Sequence, residues 1–131
     1  MVVPIRRYYH GSKSSGILED ESGRRWKTVE ELPNGVKIIE FKNSKTPTKM
    51  PEESHSPNAI YGMMFKKGNG LKSISIYDSD CKKIVEIHNE DHHGTGPHYH
   101  YWKNGRPVGE PQPISTNPQY QQLLYETISL L

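Results

Sequence analysis

"AIYGMMFKKGNGLKSISIYDSDCKKIVEIH", residues 59–88, contains three short apolar runs that are separated by two turn signals. The glycines and asparagine of "GNG" tolerate positive φ, and the aspartates and serine of "DSD" hydrogen-bond to their own backbone, so both triplets favour tight turns. Between them, "LKSISIY" at residues 71–77 alternates in the manner of a strand with two different faces. The stretch therefore predicts three antiparallel strands joined as a meander.

A further turn signal lies upstream, where "PNG" at residues 33–35 interrupts the apolar positions of residues 26–42. Proline fixes the entry to a turn, and asparagine followed by glycine can adopt positive φ, which favours a β-hairpin. Thr28 and Glu31 have the spacing of a capping box, so a short helix over residues 29–32 is the alternative interpretation. We expect the hairpin.

The chain ends in "NPQYQQLLYETISLL", residues 117–131, which has the pattern of an amphipathic helix. Asn117 suits the N-cap and Pro118 suits the first helical position. Apolar side chains then recur at helical spacing, at Tyr120, Leu123, Leu124, Ile128 and Leu131. Together the patterns predict the α+β class, with a small antiparallel β-sheet, a meander, packed by this C-terminal α-helix.

The domain organisation follows from length and composition. At 131 residues the chain has the length of one ordinary domain, and its 32% apolar content and mean hydropathy of -0.84 predict a small core. Residues 1–25 are basic, rich in serine and glycine, and without a hydrophobic period, which predicts an extended or partly disordered N-terminal segment. Residues 43–58 hold three prolines and predict a long loop. We expect a single α+β domain over residues 26–131.

Charge and cysteine content limit the classes of function. The net charge of +2 and the pI near 8.6 permit nucleic-acid contact without requiring it. Cys81 is the only cysteine, which excludes an intramolecular disulfide and a multi-cysteine zinc site. No apolar run reaches the length of a transmembrane helix or of a signal peptide, so we expect a protein of the host or target cytoplasm without a membrane partner.

Histidines are concentrated in "HNEDHHGTGPHYHYW", residues 88–102, which holds five of the seven in the chain. If the second half of this segment is extended, alternation places three side chains on one face, namely His98, His100 and Trp102. The two glycines before them allow a sharp turn and a close approach of backbone to a ligand. Three interpretations of the segment are open.

In the first interpretation the segment is a metal site. Imidazoles with a nearby carboxylate suit Zn²⁺ or a similar divalent transition metal. The candidate ligands are His88, His92, His98 and His100. The spacing matches no strong motif, since HExxH is absent and no glutamate follows His100 at the distance of a cupin-like pattern.

In the second interpretation His98 and His100 are a general acid–base pair that shares two proton transfers at one phosphate near neutral pH. His92 or His93 would assist or bind the phosphate, and Asp91 would orient an imidazole in its productive tautomer. In the third interpretation the segment is a polar loop whose histidines hydrogen-bond to one another and to the backbone.

Three residues at the end of the segment are candidates for substrate binding. Lys103 and Arg106 could contact a phosphate backbone, although a solvated surface is the more common position for such side chains. Trp102 offers a ring on which a base could stack, unless that face of the strand belongs to the core.

From residue 56 to residue 110 the order of features resembles a known family. "SPNAIYG", "SISIYDSD", "KIVEIHNEDHHGTGPHYHYW" and "NGRPVGE" follow one another in this sequence. They are similar to the C-terminal toxin domains of bacterial polymorphic and Rhs-type toxins, in which a Tyr-Asp strand pair leads to an Asp-His or His-His step, a glycine and a terminal GPHxH run. The resemblance implies a nuclease-like activity, with an active site formed by Asp91, His92, His93, His98 and His100.

The leading hypothesis is therefore a small histidine-dependent nuclease-like toxin domain that acts on RNA in preference to DNA. Nucleic acid would be its target, and a cognate immunity protein would be its second partner. The alternative is a non-enzymatic inhibitor from a phage or other mobile element that binds a host nucleic-acid-handling protein. In that case the histidine cluster is structural or holds a metal.

Overall fold

The computed structural model describes residues 8–10, 17–43, 49–65, 70–90 and 96–131. The strands are β1 (Tyr8–His10), β2 (Ile17–Asp20), β3 (Arg25–Glu31), β4 (Lys37–Phe41), β5 (Ile60–Met64), β6 (Leu71–Tyr77), β7 (Lys83–His88), β8 (His98–Lys103) and β9 (Arg106–Pro113). A short 3-10 helix, Ile114–Thr116, leads into the helix α1, Pro118–Leu130.

The nine described strands form one sheet, in which the spatial order follows the order along the chain. Neighbouring strands are antiparallel, except that β4 and β5 run parallel over two residue pairs. The predicted α+β class, with an antiparallel sheet and a C-terminal helix, is therefore confirmed. The sheet is larger than the predicted small meander, because paired strands extend it on both sides.

The strand β9 is one of these additions, and its sequence explains why no pattern predicts it. It contains Pro107, Pro111 and Pro113. Proline has no N–H to donate to the hydrogen bonds between strands, so a proline-rich run does not predict a strand. In the described sheet β9 lies at the edge beside β8, where a missing N–H on the outer side interrupts no pairing.

At the other side of the sheet, β1 and β2 lie within the predicted N-terminal segment, of which residues 1–7 and 11–16 are outside the described residues. Leu18 and Asp20 of β2 are buried, and β2 pairs with β3. The Asp20 carboxylate accepts hydrogen bonds from Ser22 and Arg24, which close the turn between the two strands. The described part of the segment thus belongs to the same sheet as the rest of the chain.

The two central predictions from turn signals are confirmed. The strands β5, β6 and β7 form the antiparallel meander. The strands β3 and β4 form the hairpin around the Pro33–Asn34–Gly35 turn. The alternative helix over residues 29–32 is wrong, because Glu30 and Glu31 pair with β4.

Alternation gives the central strands two different faces. One face carries Ile74, Val85, Ile87 and Tyr99, which form a buried cluster together with Leu124 of α1. We call it the helix face. The other, which carries Ser75, Glu86, His98 and His100, is called the histidine face. Successive side chains of a strand point to opposite sides of the sheet, so the apolar residues and the polar residues of these strands lie on different faces.

A second buried cluster lies on the histidine face over β3 to β6 and includes Trp26, Ile39, Tyr61, Met63 and Tyr77. Residues 49–59, which we call the covering segment, pack on it through Met50 and Ala59. Backbone contacts fix the segment, because the Tyr77 hydroxyl donates to the Pro51 carbonyl and the Lys83 N–H donates to the Glu52 carbonyl. The described part of the predicted long loop is therefore a packed layer over the sheet.

The helix α1 begins as predicted, since the Asn117 side chain accepts a hydrogen bond from the Tyr120 N–H at 3.1 Å and Pro118 follows. Its predicted apolar stripe is only partly buried. Leu124 is buried, but Ile128 and Leu131 are exposed, and the next buried position is Thr127, which accepts a hydrogen bond from Asn34. In the described part of the chain, no helix is long and apolar enough to cross a membrane.

Candidate functional site

A row of polar side chains crosses the histidine face along the register of the sheet. Tyr61 lies opposite Ser75, Ser75 opposite Glu86, and Glu86 opposite His100. Residues that face each other across antiparallel strands point to the same side, so the row leads from the second core cluster to the imidazoles. The polar row thus continues the histidine face from the second core cluster toward β8.

Three imidazoles form the end of this surface. His88 lies opposite His98, with ring centroids 5.2 Å apart and an interplanar angle of 18°. The His100 ring stands edge-on to both, with centroid distances of 5.5 Å to His88 and 5.3 Å to His98. We call these three residues the histidine cluster. They come from two strands, and pairing of β7 with β8 brings them together.

The three rings differ in their access to solvent. His98 is only 2% exposed, whereas His88 and His100 are intermediate. The Nδ1 of His98 lies 3.0 Å from the Gly96 carbonyl oxygen. A carbonyl can only accept, so Nδ1 of His98 is the donor in this hydrogen bond. His98 is therefore the inner member of the cluster.

A buried carboxylate connects the cluster to a buried ammonium. The Oε1 of Glu86 lies 3.5 Å from Nε2 of His88, and Oε2 accepts a hydrogen bond from Nζ of Lys83 at 2.7 Å. Nζ of Lys83 also stands 4.2 Å from the centroid of the Trp102 ring. Glu86 and Lys83 are 5% and 4% exposed, so both side chains are buried. Their opposite charges compensate each other at close range.

Lys83 reaches this face because of a β-bulge. Ile76 pairs with Val85, but the next residue, Tyr77, pairs with Lys83, so Ile84 is an extra residue on β7. Strict alternation would place Lys83 on the same side as Val85. The bulge shifts the phase by one residue and moves Lys83 to the side of Tyr77 and Glu86.

Burial sets the protonation of these groups. It lowers the pKa of His88 below its usual value of 6.5; the neighbouring His98 and His100 act in the same direction, and Glu86 opposes them. Burial also lowers the pKa of Lys83, against the effect of the Glu86 carboxylate. His88 is therefore neutral near pH 7 and able to accept a proton.

The structure brings together His88, His98, His100 and Trp102 among the predicted site residues. Asp91, His92 and His93 lie outside the described residues. Lys103 and Arg106 pair with each other across the exposed turn between β8 and β9. By alternation from His100, Lys103 lies on the helix-face side of β8, away from the cluster.

Metal binding finds no support in the described residues. Among them, no group of three or more His, Cys, Asp or Glu side chains is arranged to hold a metal ion. His92, the remaining candidate ligand, lies outside the described residues.

Sequence reasoning did not select Glu86 or Lys83 as site residues. For Glu86 a signal was present, because Glu86 and His88 have the same alternate spacing as His98 and His100 and share a face with them once β7 and β8 pair. For Lys83 no signal was present, since its position depends on the bulge.

No protein-family model matches the chain, and no curated protein or solved structure shows significant similarity to it. The resemblance to polymorphic and Rhs-type toxin domains thus stays a prediction from the motif residues.

Proposed function

We propose that the histidine face of β7 and β8 is the active site of a metal-independent enzyme that cleaves RNA. The observation that carries the proposal is the packing of three imidazoles, with centroids 5.2 to 5.5 Å apart, beside the buried carboxylate of Glu86. Imidazole is the side chain that donates and accepts protons most readily near neutral pH. Two such groups at one phosphate are sufficient for general acid–base cleavage.

In the proposed reaction His88 and His100 are the catalytic pair, because they have more access to solvent than His98. Neutral His88 takes the proton of a ribose 2′-hydroxyl, and the 2′-oxygen attacks the adjacent phosphorus. The bond from phosphorus to the 5′-oxygen breaks, and His100, in its protonated form, gives a proton to that oxygen. The products are a 2′,3′-cyclic phosphate and a 5′-hydroxyl, so atoms and charge balance.

Glu86, Lys83 and His98 have positioning roles in this proposal. Glu86 stabilises the imidazolium that forms when His88 takes a proton, as a buried carboxylate does beside a catalytic histidine. The ion pair with Lys83 holds the Glu86 carboxylate in place beside His88. His98, anchored on the Gly96 carbonyl, supports the ring of His88 by stacking.

The resemblance over residues 56–110 supports placing this enzyme among nuclease-like toxin domains. Asp91, His92 and His93 belong to the same motif and would complete the phosphate site. The proposed target is RNA, and a cognate immunity protein is the proposed inhibitor. Zn²⁺ or another divalent transition metal is not required by this chemistry.

The proposal is tested by cleavage of an RNA oligonucleotide in the presence of EDTA. The wild-type chain is expected to cleave it, and His88→Ala and His100→Ala are each expected to slow cleavage by about 10²- to 10⁴-fold. Tyr101→Phe is the matched control, because Tyr101 is an exposed aromatic residue on the other face of β8. A folded wild-type chain that cleaves no RNA would overturn the proposal in favour of a binding protein, and cleavage only with added metal would overturn the mechanism.

A further inference from the structure

A groove lies on the histidine-face side of the sheet, two strands from β7. It has a volume of about 440 Å³ and opens where the covering segment meets β3, β4 and β5. Ligand pockets for small molecules begin at about 300 Å³, so this groove has room for a ligand of nucleotide size or smaller. Two strand spacings of about 4.8 Å separate Tyr61 on β5 from Glu86 on β7, so the groove is roughly 10 Å from Glu86.

Tyr61 forms the floor of the groove. It is 3% exposed, and its hydroxyl oxygen accepts a hydrogen bond from the His55 N–H at 2.8 Å. Burial raises the pKa of Tyr61 to about 12, so the hydroxyl keeps its own proton. Within the described part of the chain, no acceptor takes that proton. Buried donors are nearly always satisfied, which indicates a ligand or solvent acceptor in the groove.

Lys37 supplies a positive charge beside this hydroxyl. It lies directly opposite Tyr61 on the parallel strand, so both side chains point into the groove. Glu31 lies opposite Lys37 on its other side, but no ion pair of Lys37 within 4.0 Å occurs among the described residues. The Lys37 ammonium is therefore available to a ligand in the groove.

The remaining lining groups add donors. Ser56 and Thr28 contribute hydroxyls, and the Glu31 carboxylate at the exposed rim is the one acidic side chain among the described lining residues. Each hydroxyl can turn its O–H toward an anion, and these groups surround a half-buried ammonium. This composition suits a compact anion with several acceptor oxygens better than a cation or an apolar molecule.

We propose that this groove binds the phosphate group of a small phosphorylated ligand, with Lys37 and the Tyr61 hydroxyl as its principal contacts. The proposal does not depend on the histidine cluster or on RNA cleavage. It assigns Tyr61 a binding role in addition to its packing on Tyr77, whose ring centroid lies 5.1 Å away.

The test is a titration of the wild-type chain with inorganic phosphate and, separately, with adenosine monophosphate, followed by NMR shifts of backbone amides. We expect saturable shifts at residues 55–61, and at least about tenfold weaker binding in Lys37→Ala and in Tyr61→Phe. Tyr61→Phe keeps the aromatic packing, and its melting temperature shows whether it folds. Lys27→Ala is the matched control, because Lys27 is an exposed lysine of the same hairpin that points to the other side.

The outcomes separate the sources of the phosphate. Tighter binding of the nucleotide than of phosphate supports a nucleotide ligand, and equal binding supports phosphate recognition alone. Absence of saturable binding by either probe would overturn the proposal, and so would an equal loss of binding in Lys27→Ala and Lys37→Ala. Loss in Lys37→Ala decides the case if Tyr61→Phe does not fold.

Discussion

The twelve residues of β7 and β8 divide between two faces, which differ in almost every physical property. On the helix face Val85 and Ile87 are 1% and 0% exposed and pack against an apolar cluster. On the histidine face Glu86 and His98 are also buried, yet their side chains are polar and lie beside His88 and His100. Burial therefore stabilises the fold on the helix face, whereas on the histidine face it lowers the pKa values of His88 and Lys83.

The free energies of burial differ between the two faces in the same way. Burying an apolar side chain contributes about 1.5 to 3 kcal/mol, whereas burying an ion pair returns little, because desolvation offsets the attraction. Glu86 and Lys83 are thus a poor means of holding two strands together. Their presence in a packed position is understandable if the pair serves the histidines beside it.

The largest effect is expected from disturbing the buried ion pair. Glu86→Ala leaves the Lys83 ammonium buried without its closest partner and should lower the free energy of unfolding by about 3 to 5 kcal/mol. Urea denaturation followed by circular dichroism measures this. Replacement of both residues, as Lys83→Met with Glu86→Leu, should restore most of the stability and still abolish RNA cleavage. A double variant with full activity would show that the pair has no part in the reaction.

The helix face should respond in the opposite way. Ile87→Ala removes a fully buried side chain and should cost about 2 to 5 kcal/mol of unfolding free energy. Below its midpoint of denaturation the variant should still cleave RNA at close to the wild-type rate. Ile84→Ala is the control, since Ile84 is 38% exposed and the same truncation there should have a much smaller effect on stability. Equal losses at both positions would contradict the assigned burial.

A smaller effect is expected from pH. The pKa of His88 is lower in the folded chain than its unfolded value near 6.5, because burial disfavours the charged ring. Between the two values the unfolded state binds more protons, so the contribution of His88 to stability is complete above pH 6.5 and is lost as the pH falls through the folded value. The loss is about 1.4 kcal/mol for each pH unit that separates the two values.

The experiment compares unfolding free energies at pH 7.5, 6.5 and 5.5 for the wild-type chain and for His88→Gln. The wild-type chain should lose more stability than His88→Gln over this range. A wild-type chain that becomes relatively more stable toward pH 5.5 would mean that the ring is charged in the folded state.

Local sequence signals predicted the elements whose turns and caps lie next to them in the chain. The "PNG" and "DSD" turns, the Asn117 cap and the alternation of residues 98–102 each depend on a few neighbouring residues. Alternation was sufficient to place His98 and His100 on one face, opposite Tyr99.

Features that depend on distant parts of the chain were not predictable in this way. His88 joins His98 and His100 only because β7 pairs with β8 in one register, and a slip of one residue would place it on the helix face. The bulge at Ile84 and the proline-rich edge strand β9 break the local rules and are stabilised by their neighbours. The covering segment also has no periodic pattern, although Met50 within it is buried.

The most direct test of the histidine face as an RNA-cleaving site compares one oligonucleotide in two forms, as RNA and with every 2′-hydroxyl methylated, both in EDTA. Attack by the 2′-oxygen requires a free hydroxyl, so the wild-type chain should cleave the RNA to a 2′,3′-cyclic phosphate and leave the methylated form intact. Cleavage of both forms, or of neither, would contradict the proposed role of the histidine face.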